Sequence, residues 1–312
     1  MTFNILERIN HGYGELEPVV LGLLAMRLHL LVTGRHGTGK TRLATVLSSG
    51  IGSDKFVAYD APKDDLITVA GIPEIEGASD GPFTFRRHKR TIWDKQTILI
   101  DEITRAGRES QNLWLEILEN RACFGEPLPY EALIATANPE SYEAAFKLDE
   151  ALLDRFHAVV PVPEFQVGVN ASDVTSMIQL GASDPASLPS GTEIAEVLRE
   201  IRTAHEQLLQ EGLDKKVENY LGALVEALFP ALPSNGEHYV SPRTYSRQLF
   251  QSILAIAAYF RASGATDFLE RGAKVGLRYG LSTKLLIKPG LLDQLHRTFE
   301  GGVPPVRWTP HY

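Results

Sequence analysis

Eight residues, Gly34-Arg35-His36-Gly37-Thr38-Gly39-Lys40-Thr41, stand between an apolar run and a helical one. Their spacing fits G-x-x-x-x-G-K-[ST]. The glycines let successive backbone N–H groups point into one concavity, and a helix starting near Lys40 adds its positive end. A nucleoside triphosphate suits such a bend. Lys40 reaches the β- and γ-phosphates, and Thr41 offers a hydroxyl to Mg2+. The expected ATP cradle comprises Gly34, Arg35, His36, Gly37, Thr38, Gly39, Lys40, Thr41 and Arg42, with Arg35 and His36 as solvent-facing filler. Further on, "TILIDE" carries four residues of a strand into Asp101 and Glu102. Unpaired buried carboxylates are costly, so two at a strand end need a reason. Mg2+ supplies one. Asp101 would hold the metal through its water shell, and Glu102 would polarise an attacking water as general base.

Three more polar residues stand at strand or helix ends. Asn138 follows "ALIATA" and precedes Pro139. It would orient the attacking water or touch the γ-phosphate, or simply form an Asn-Pro turn. Arg155 closes the helical "LDEALLD" before an apolar strand, and Arg243 follows Pro242 at a helix start. Spacing alone leaves both arginines as ordinary ion-paired surface groups.

Strands must position these groups. Nearly continuous apolar runs at 28–34, 55–61, 97–102, 132–138 and 157–163 read as strands covered on both faces. Helical patterns at 17–26, 39–50, 108–120 and 143–154 alternate with them. That alternation predicts an α/β fold, a P-loop NTPase with a parallel five-stranded sheet flanked by helices. A Ser/Gly/Asp/Pro-rich stretch at 170–191 reads as linker around a short helix. Helical periodicity then covers 192–210, 214–232, 241–263 and 266–282, followed by a Pro/Gly-rich tail. The expected organisation is a nucleotide-binding core at 1–165, a linker at 166–191, and a small all-helical lid domain with its tail at 192–312.

The 312-residue chain is 44% hydrophobic and 22% charged, an ordinary soluble composition with room for a sizeable core. A net charge of −8 speaks against a general nucleic-acid binder, which needs a basic surface. The single cysteine, Cys123, rules out an internal disulfide and a cysteine-rich zinc site and fits a reducing compartment. No secretory signal or apolar stretch of membrane-spanning length is legible, so a cytoplasmic location is expected.

Taken in order, GRHGTGKT, ILIDE, ATANP, LLDRF and SPR resemble the motif set of the AAA+ ATPases, specifically the MoxR-like group, over about residues 10–260. The resemblance implies a nucleotide-binding α/β domain, a helical lid, and a homo-oligomeric ring, usually a hexamer, with ATP between subunits. It implies that Asn138 is the sensor asparagine. It makes Arg155 the arginine finger on the neighbour's ATP and Arg243 a lid sensor within its own subunit. Thr104 stands where the group often carries asparagine. The activity implied is chaperone-like remodelling or activation of client proteins, with a von Willebrand factor A domain partner.

The segment 66–92 is longer than a simple connection, and its short apolar pieces around a Gly/Ser/Asp turn predict a hairpin. In the resembling family such an insertion projects toward the ring pore. Phe83, Phe85 and the run Arg86–Arg90 are expected there either to engage a client or to form a solvated rim. A second loop at 121–131 reads equally as a pore-facing hairpin or a surface turn. Two other function classes remain open at this point. A nucleic-acid motor would use the basic "FTFRRHKR", and a nucleotide-binding scaffold would not turn over.

Overall fold

The computed structural model describes residues 3–74, 84–138, 148–163, 188–228 and 243–282, together with 175 and 178. Strands β1 (Leu30–Thr33) and β2 (Phe56–Asp60) come first. They are followed by the short β3 (Ile72–Glu74) and β4 (Thr84–Arg86), then β5 (Thr97–Asp101). The short β6 (Ala122–Cys123) and β7 (Glu126–Pro127) precede β8 (Ala132–Ala137) and β9 (Ala158–Pro161). Five strands form one all-parallel sheet in the order β2-β5-β8-β1-β9. The helices of this half are α1 (Ile5–Ile9), α2 (Glu17–Ala25), α3 (Lys40–Gly52), α4 (Leu66–Ala70), α5 (Arg108–Asn120) and α6 (Glu150–Leu153). All five predicted strands are present within a few residues of their expected limits.

Why the strands read as unbroken apolar runs is visible in the packing. Side chains alternate across a strand. Leu30 and Val32 enter the core on one face, with Leu99, Ile134 and Val160. Leu31 enters the core on the other face, with Ile98, Ile100, Leu133 and Val159. Helix α5 covers that second face with Leu113, Trp114, Ile117 and Leu118, spaced three and four residues apart.

The first face is covered by α1, α2, α3 and by the helices that follow residue 190. These are α7 (Gly191–Gln210), α8 (Asp214–Leu228), α9 (Phe250–Ala262) and α10 (Phe268–Leu277). A π-helical segment, Thr244–Leu249, leads into α9. Ser190 caps α7 by accepting from the Glu193 N–H at 3.1 Å. Helix α7 buries Ile194, Val197, Leu198, Ile201 and Leu208, which join the same apolar cluster as α2 and α3. Helices α2 and α9 approach closely. A Cβ at Gly22 would lie 2.9 Å from the Ala255 carbonyl oxygen. The helical region is thus seated directly on the helix that follows the glycine-rich bend.

The carboxylate of Glu17, wholly buried, joins three elements. It accepts from the backbone N–H of Asn4 and of Leu6, each at 3.0 Å, and from the Tyr259 hydroxyl at 2.7 Å. It thereby serves α1 in place of a side-chain N-cap and ties α1 to α9. Most of the linker expected at 166–191, the first part of the helix expected at 143–154, Phe83 and the tail lie outside the described residues. Among the described residues, no helix is long and apolar enough to cross a membrane.

Candidate active site

In a parallel sheet every strand ends at the same edge, and chemistry gathers there. The bend follows β1, Asp101 and Glu102 close β5, and Asn138 follows β8. Topology alone therefore brings three separate motifs together.

Lys40 opens α3 and is 7% exposed. Its ammonium donates to the carbonyls of Gly34 at 2.6 Å and Arg35 at 2.8 Å, and to Asn138 Oδ1 at 3.0 Å. Burial lowers its pKa, while the negative Asp101 and Glu102 act the other way. Asn138 Nδ2 in turn donates to Glu102 Oε1 at 3.1 Å. With a cation on one side and a carboxylate on the other, only one orientation of the Asn138 amide satisfies both. The asparagine connects the phosphate lysine to the candidate base.

Thr41 Oγ1 lies 3.2 Å from each carboxylate oxygen of Asp101. A hydroxyl beside a carboxylate is a hard-oxygen donor set suited to Mg2+. Among the described residues, no group of three or more His, Cys, Asp or Glu could hold a metal on its own. The Thr41–Asp101 pair would therefore complete a Mg2+ shell with phosphate oxygens and water, as the fit to a nucleotide requires.

One member of this site is not legible as chemistry in the sequence. Thr136, fully buried in β8, donates to Asp101 Oδ1 and accepts from the Glu102 backbone N–H at 3.0 Å. Glu102 has φ 55° and ψ 47°, the left-handed region, which costs about 1 kcal/mol or more in a non-glycine residue. The Thr136 hydroxyl and the Arg105 N–H, which donates to the Glu102 carbonyl at 2.8 Å, hold that conformation. The available sequence signal was a hydroxyl two residues before Asn138 in an otherwise apolar strand. Thr136→Val keeps the shape and removes the hydroxyl. It is expected to lower kcat about tenfold or more, since the Asp101 carboxylate and the Glu102 backbone lose their support, while nucleotide affinity changes little. Steady-state phosphate release beside nucleotide titration checks this.

The bend is supported from behind by the N-terminal segment. Asn10 Nδ2 donates to the Gly39 carbonyl at 3.1 Å, and the Tyr13 hydroxyl donates to the Thr38 carbonyl at 2.5 Å. Gly39 has φ +90°, and a Cβ there would lie 2.7 Å from the Asn10 amide. Both facts demand glycine.

Residues 29–156 match the family model of the AAA domain, dynein-related subfamily. This segment is similar to AAA+ ATPase domains. The uncharacterized protein YeaC of Bacillus subtilis is 28% identical over 160 residues. That match spans 48% of this chain and 48% of the relative, about half the relative's length. A crystal structure of a candidate ATPase from Cytophaga hutchinsonii shares the fold, with a TM-score of 0.62 at 17% identity, covering 95% of this chain and 92% of that one. The fold, a five-stranded parallel sheet flanked by helices with a helical region after it, is as expected from the sequence.

Arg155 and Arg243 lie elsewhere. Arg155 precedes β9, and α5, which carries Glu119, leads toward the start of β8. Both arginines pair with Glu119, Arg243 Nη1 at 3.0 Å. They therefore sit at the edge where strands begin, a strand length of about 13 Å from the edge that carries Lys40. The two arginines come together with each other and not with the lysine's group. This placement differs from the expectation that Arg243 serves its own subunit's nucleotide. The difference arises because the segment 243–248 is fastened to the loop before β9. Thr244 Oγ1 donates to Asp154 Oδ1 at 2.7 Å, and Gln248 Nε2 donates to the Asp154 carbonyl.

The basic run, expected either to engage a client or to form a solvated rim, has partners within the chain. A hairpin is present, β3 pairing antiparallel with β4. Arg86 pairs with Glu74 at 2.7 Å, and Arg90 with Asp64 at 2.6 Å. Arg87 pairs with Glu126 at 2.6 Å and lies 4.6 Å over the Trp93 ring. Phe85 stacks on Phe124 and Trp93, with centroids 5.0 and 5.5 Å away. The loop at 121–131 is a hairpin, β6 with β7. Through Phe124 and Glu126 it packs against the insertion. Three of the charges that looked like a basic strip are neutralised within the chain.

Proposed function

We propose that this chain hydrolyses ATP with Mg2+ at the seams of a homo-oligomeric ring, taken as a hexamer, and uses that cycle to remodel or activate a client protein. The observation that carries the chemistry is the chain of contacts Lys40–Asn138–Glu102 beside Thr41–Asp101. Lys40 and the backbone of Gly34–Thr41 bind the triphosphate, with Arg42 at the outer side of the first turn of α3. Thr41 and Asp101 hold Mg2+, which neutralises charge on the β- and γ-phosphates. Glu102 takes the proton of the attacking water, and Asn138 holds the Glu102 carboxylate at a fixed distance from the γ-phosphate site. Arg155 and Arg243, sitting together at the opposite edge, act on the triphosphate of the adjacent copy.

The finer reading is MoxR-type, within the cytoplasm, with a partner bearing a von Willebrand factor A domain. It is supported by the ordered motifs and by the hairpin within 66–92. A nucleic-acid motor is disfavoured by the pairing of Arg86, Arg87 and Arg90 and by the net charge of −8. A scaffold without turnover is disfavoured by the assembled Glu102–Asn138 pair.

Purified chain is expected to release phosphate from ATP in a Mg2+-dependent manner, without stimulation by DNA or RNA across a salt series. Lys40→Ala removes the group that anchors the bend and the phosphates. It is expected to abolish detectable ATP binding in a fluorescent-nucleotide titration. Wild-type binding by Lys40→Ala would end the proposal, and strong salt-sensitive stimulation by nucleic acid would replace the client-protein reading.

A further inference from the structure

Arg155 and Arg243 line a cleft of about 200 Å³ together with Arg27, Arg121 and Arg247. Against these five cations the lining holds one carboxylate, Glu119. Its Oε2 takes both Arg155 Nε and Arg243 Nη1. The two arginines come from remote parts of the chain, the end of α6 and the start of the segment before α9. Thr244 and Gln248 fasten the two segments at Asp154, and Glu119 joins the guanidinium groups themselves. Their side chains are 16% and 32% exposed and that of Glu119 is 26%, so these are not loosely solvated surface pairs. Asp154 lies farther from both, 3.6 Å from Arg155 Nη1 and 3.9 Å from Arg243 Nη1. Its other carboxylate oxygen is taken by Thr244.

We propose that Glu119 is a positioning residue for the seam, holding Arg155 and Arg243 on one carboxylate oxygen so that both guanidinium groups meet the neighbouring copy's triphosphate in register. This rests on the seam reading given above. Two guanidinium groups brought together without a counter-charge repel, and the surrounding Arg121 and Arg247 add to that repulsion. Glu119 removes it on the inner side. Its contacts use Nε of Arg155 and Nη1 of Arg243, and Arg155 Nη1 donates to the Ala151 carbonyl at 3.1 Å, so an entering anion is met by Nη2 of each group. Because Arg243 leads into a helix seated on α2, Glu119 also couples the finger arginine to the helical region. A shift of that region then moves Arg155 as well as Arg243.

The test uses the full chain assembled with ATP and Mg2+. Glu119→Gln keeps the shape and removes the charge. It is expected to lower kcat about ten- to a hundredfold, the size expected for misplaced catalytic groups, with KM and fluorescent-ATP affinity within about twofold of wild type. Glu119→Asp keeps the charge but withdraws it by one methylene, and a similar loss of kcat is expected. In an Arg155→Ala/Arg243→Ala background, Glu119→Gln is expected to change kcat no further, because the groups it positions are gone. A kcat for Glu119→Gln equal to or above wild type overturns the proposal. So does a loss that persists undiminished in the double-arginine background, which would mark a purely structural role. If the double-arginine variant itself turns over like wild type, the seam reading fails and takes the proposal with it. A silent Glu119→Gln beside inactive arginine variants removes only the role of Glu119.

Discussion

Glu102→Gln is expected to bind ATP as tightly as the wild type while releasing phosphate about 10²- to 10⁴-fold more slowly, the usual contribution of a positioned general base. The two halves of that expectation have separate structural causes. Binding rests on Lys40, the bend and Thr41, which Glu102 does not touch. Turnover rests on the Glu102 carboxylate, which projects from a left-handed residue and is oriented by Asn138 at 3.1 Å and Arg105 at 2.6 Å. Glutamine retains an acceptor for one of these donors and keeps the backbone hydrogen bond to Thr136, so the local fold survives. It cannot take a proton from water. Nucleotide titration and single-turnover phosphate release on the same preparation separate the effects. A variant that hydrolyses at the wild-type rate would remove Glu102 from the chemistry. One that no longer binds ATP would make it a structural member of the bend. The slow variant, held in ATP, is also the form in which a client would remain attached, so proteins retained by it identify what the ring acts on.

Much of this site is legible in the sequence because its parts are local. A glycine-rich bend between a strand and a helix encodes its own conformation, and Lys40 and Thr41 are fixed by their place in the first turn of α3. Asp101, Glu102 and Asn138 are likewise carried by strand ends, and a parallel sheet leaves their strand ends no other edge to occupy. What escaped reading depends on contacts between distant segments. Thr136 looks like one polar residue in a buried strand until β5 is placed beside β8. Asn10 and Tyr13 are anonymous until α1 folds back onto the bend. Glu119 is an ordinary acidic residue at a helix end, and nothing in its neighbours announces that residues 155 and 243 converge on it. The basic run after Phe85 stayed ambiguous for the opposite reason. Its charges are local, but their partners Glu74, Asp64 and Glu126 are not, and composition along the chain cannot distinguish a free strip of arginines from one already paired.

Arg155→Ala is expected to cost about 10³- to 10⁵-fold in kcat, the range for a positioned arginine at a phosphoryl-transfer site. The geometry makes the accompanying mixing experiment the sharper one. Arg155 sits at the strand-start edge beside Glu119, while Lys40 sits at the strand-end edge with Glu102 and Asp101. One copy therefore supplies its bend on one face and its arginine pair on another, a heterologous arrangement that closes into a ring. Lys40→Ala subunits lack a working nucleotide site but keep their arginines, and Arg155→Ala subunits have the reverse defect. Each alone is expected to be nearly inactive. An equimolar mixture, assembled at random, regenerates intact seams wherever an Arg155→Ala copy presents its nucleotide to a Lys40→Ala neighbour. That restores about a quarter of wild-type turnover, because half the bends and half the arginines are sound. Mixed assemblies that form normally yet recover no activity would mean that Arg155 serves the nucleotide of its own subunit. The contacts that fasten the 243–248 segment to Asp154 would then have to release within a single copy, for the pair to cross from one sheet edge to the other.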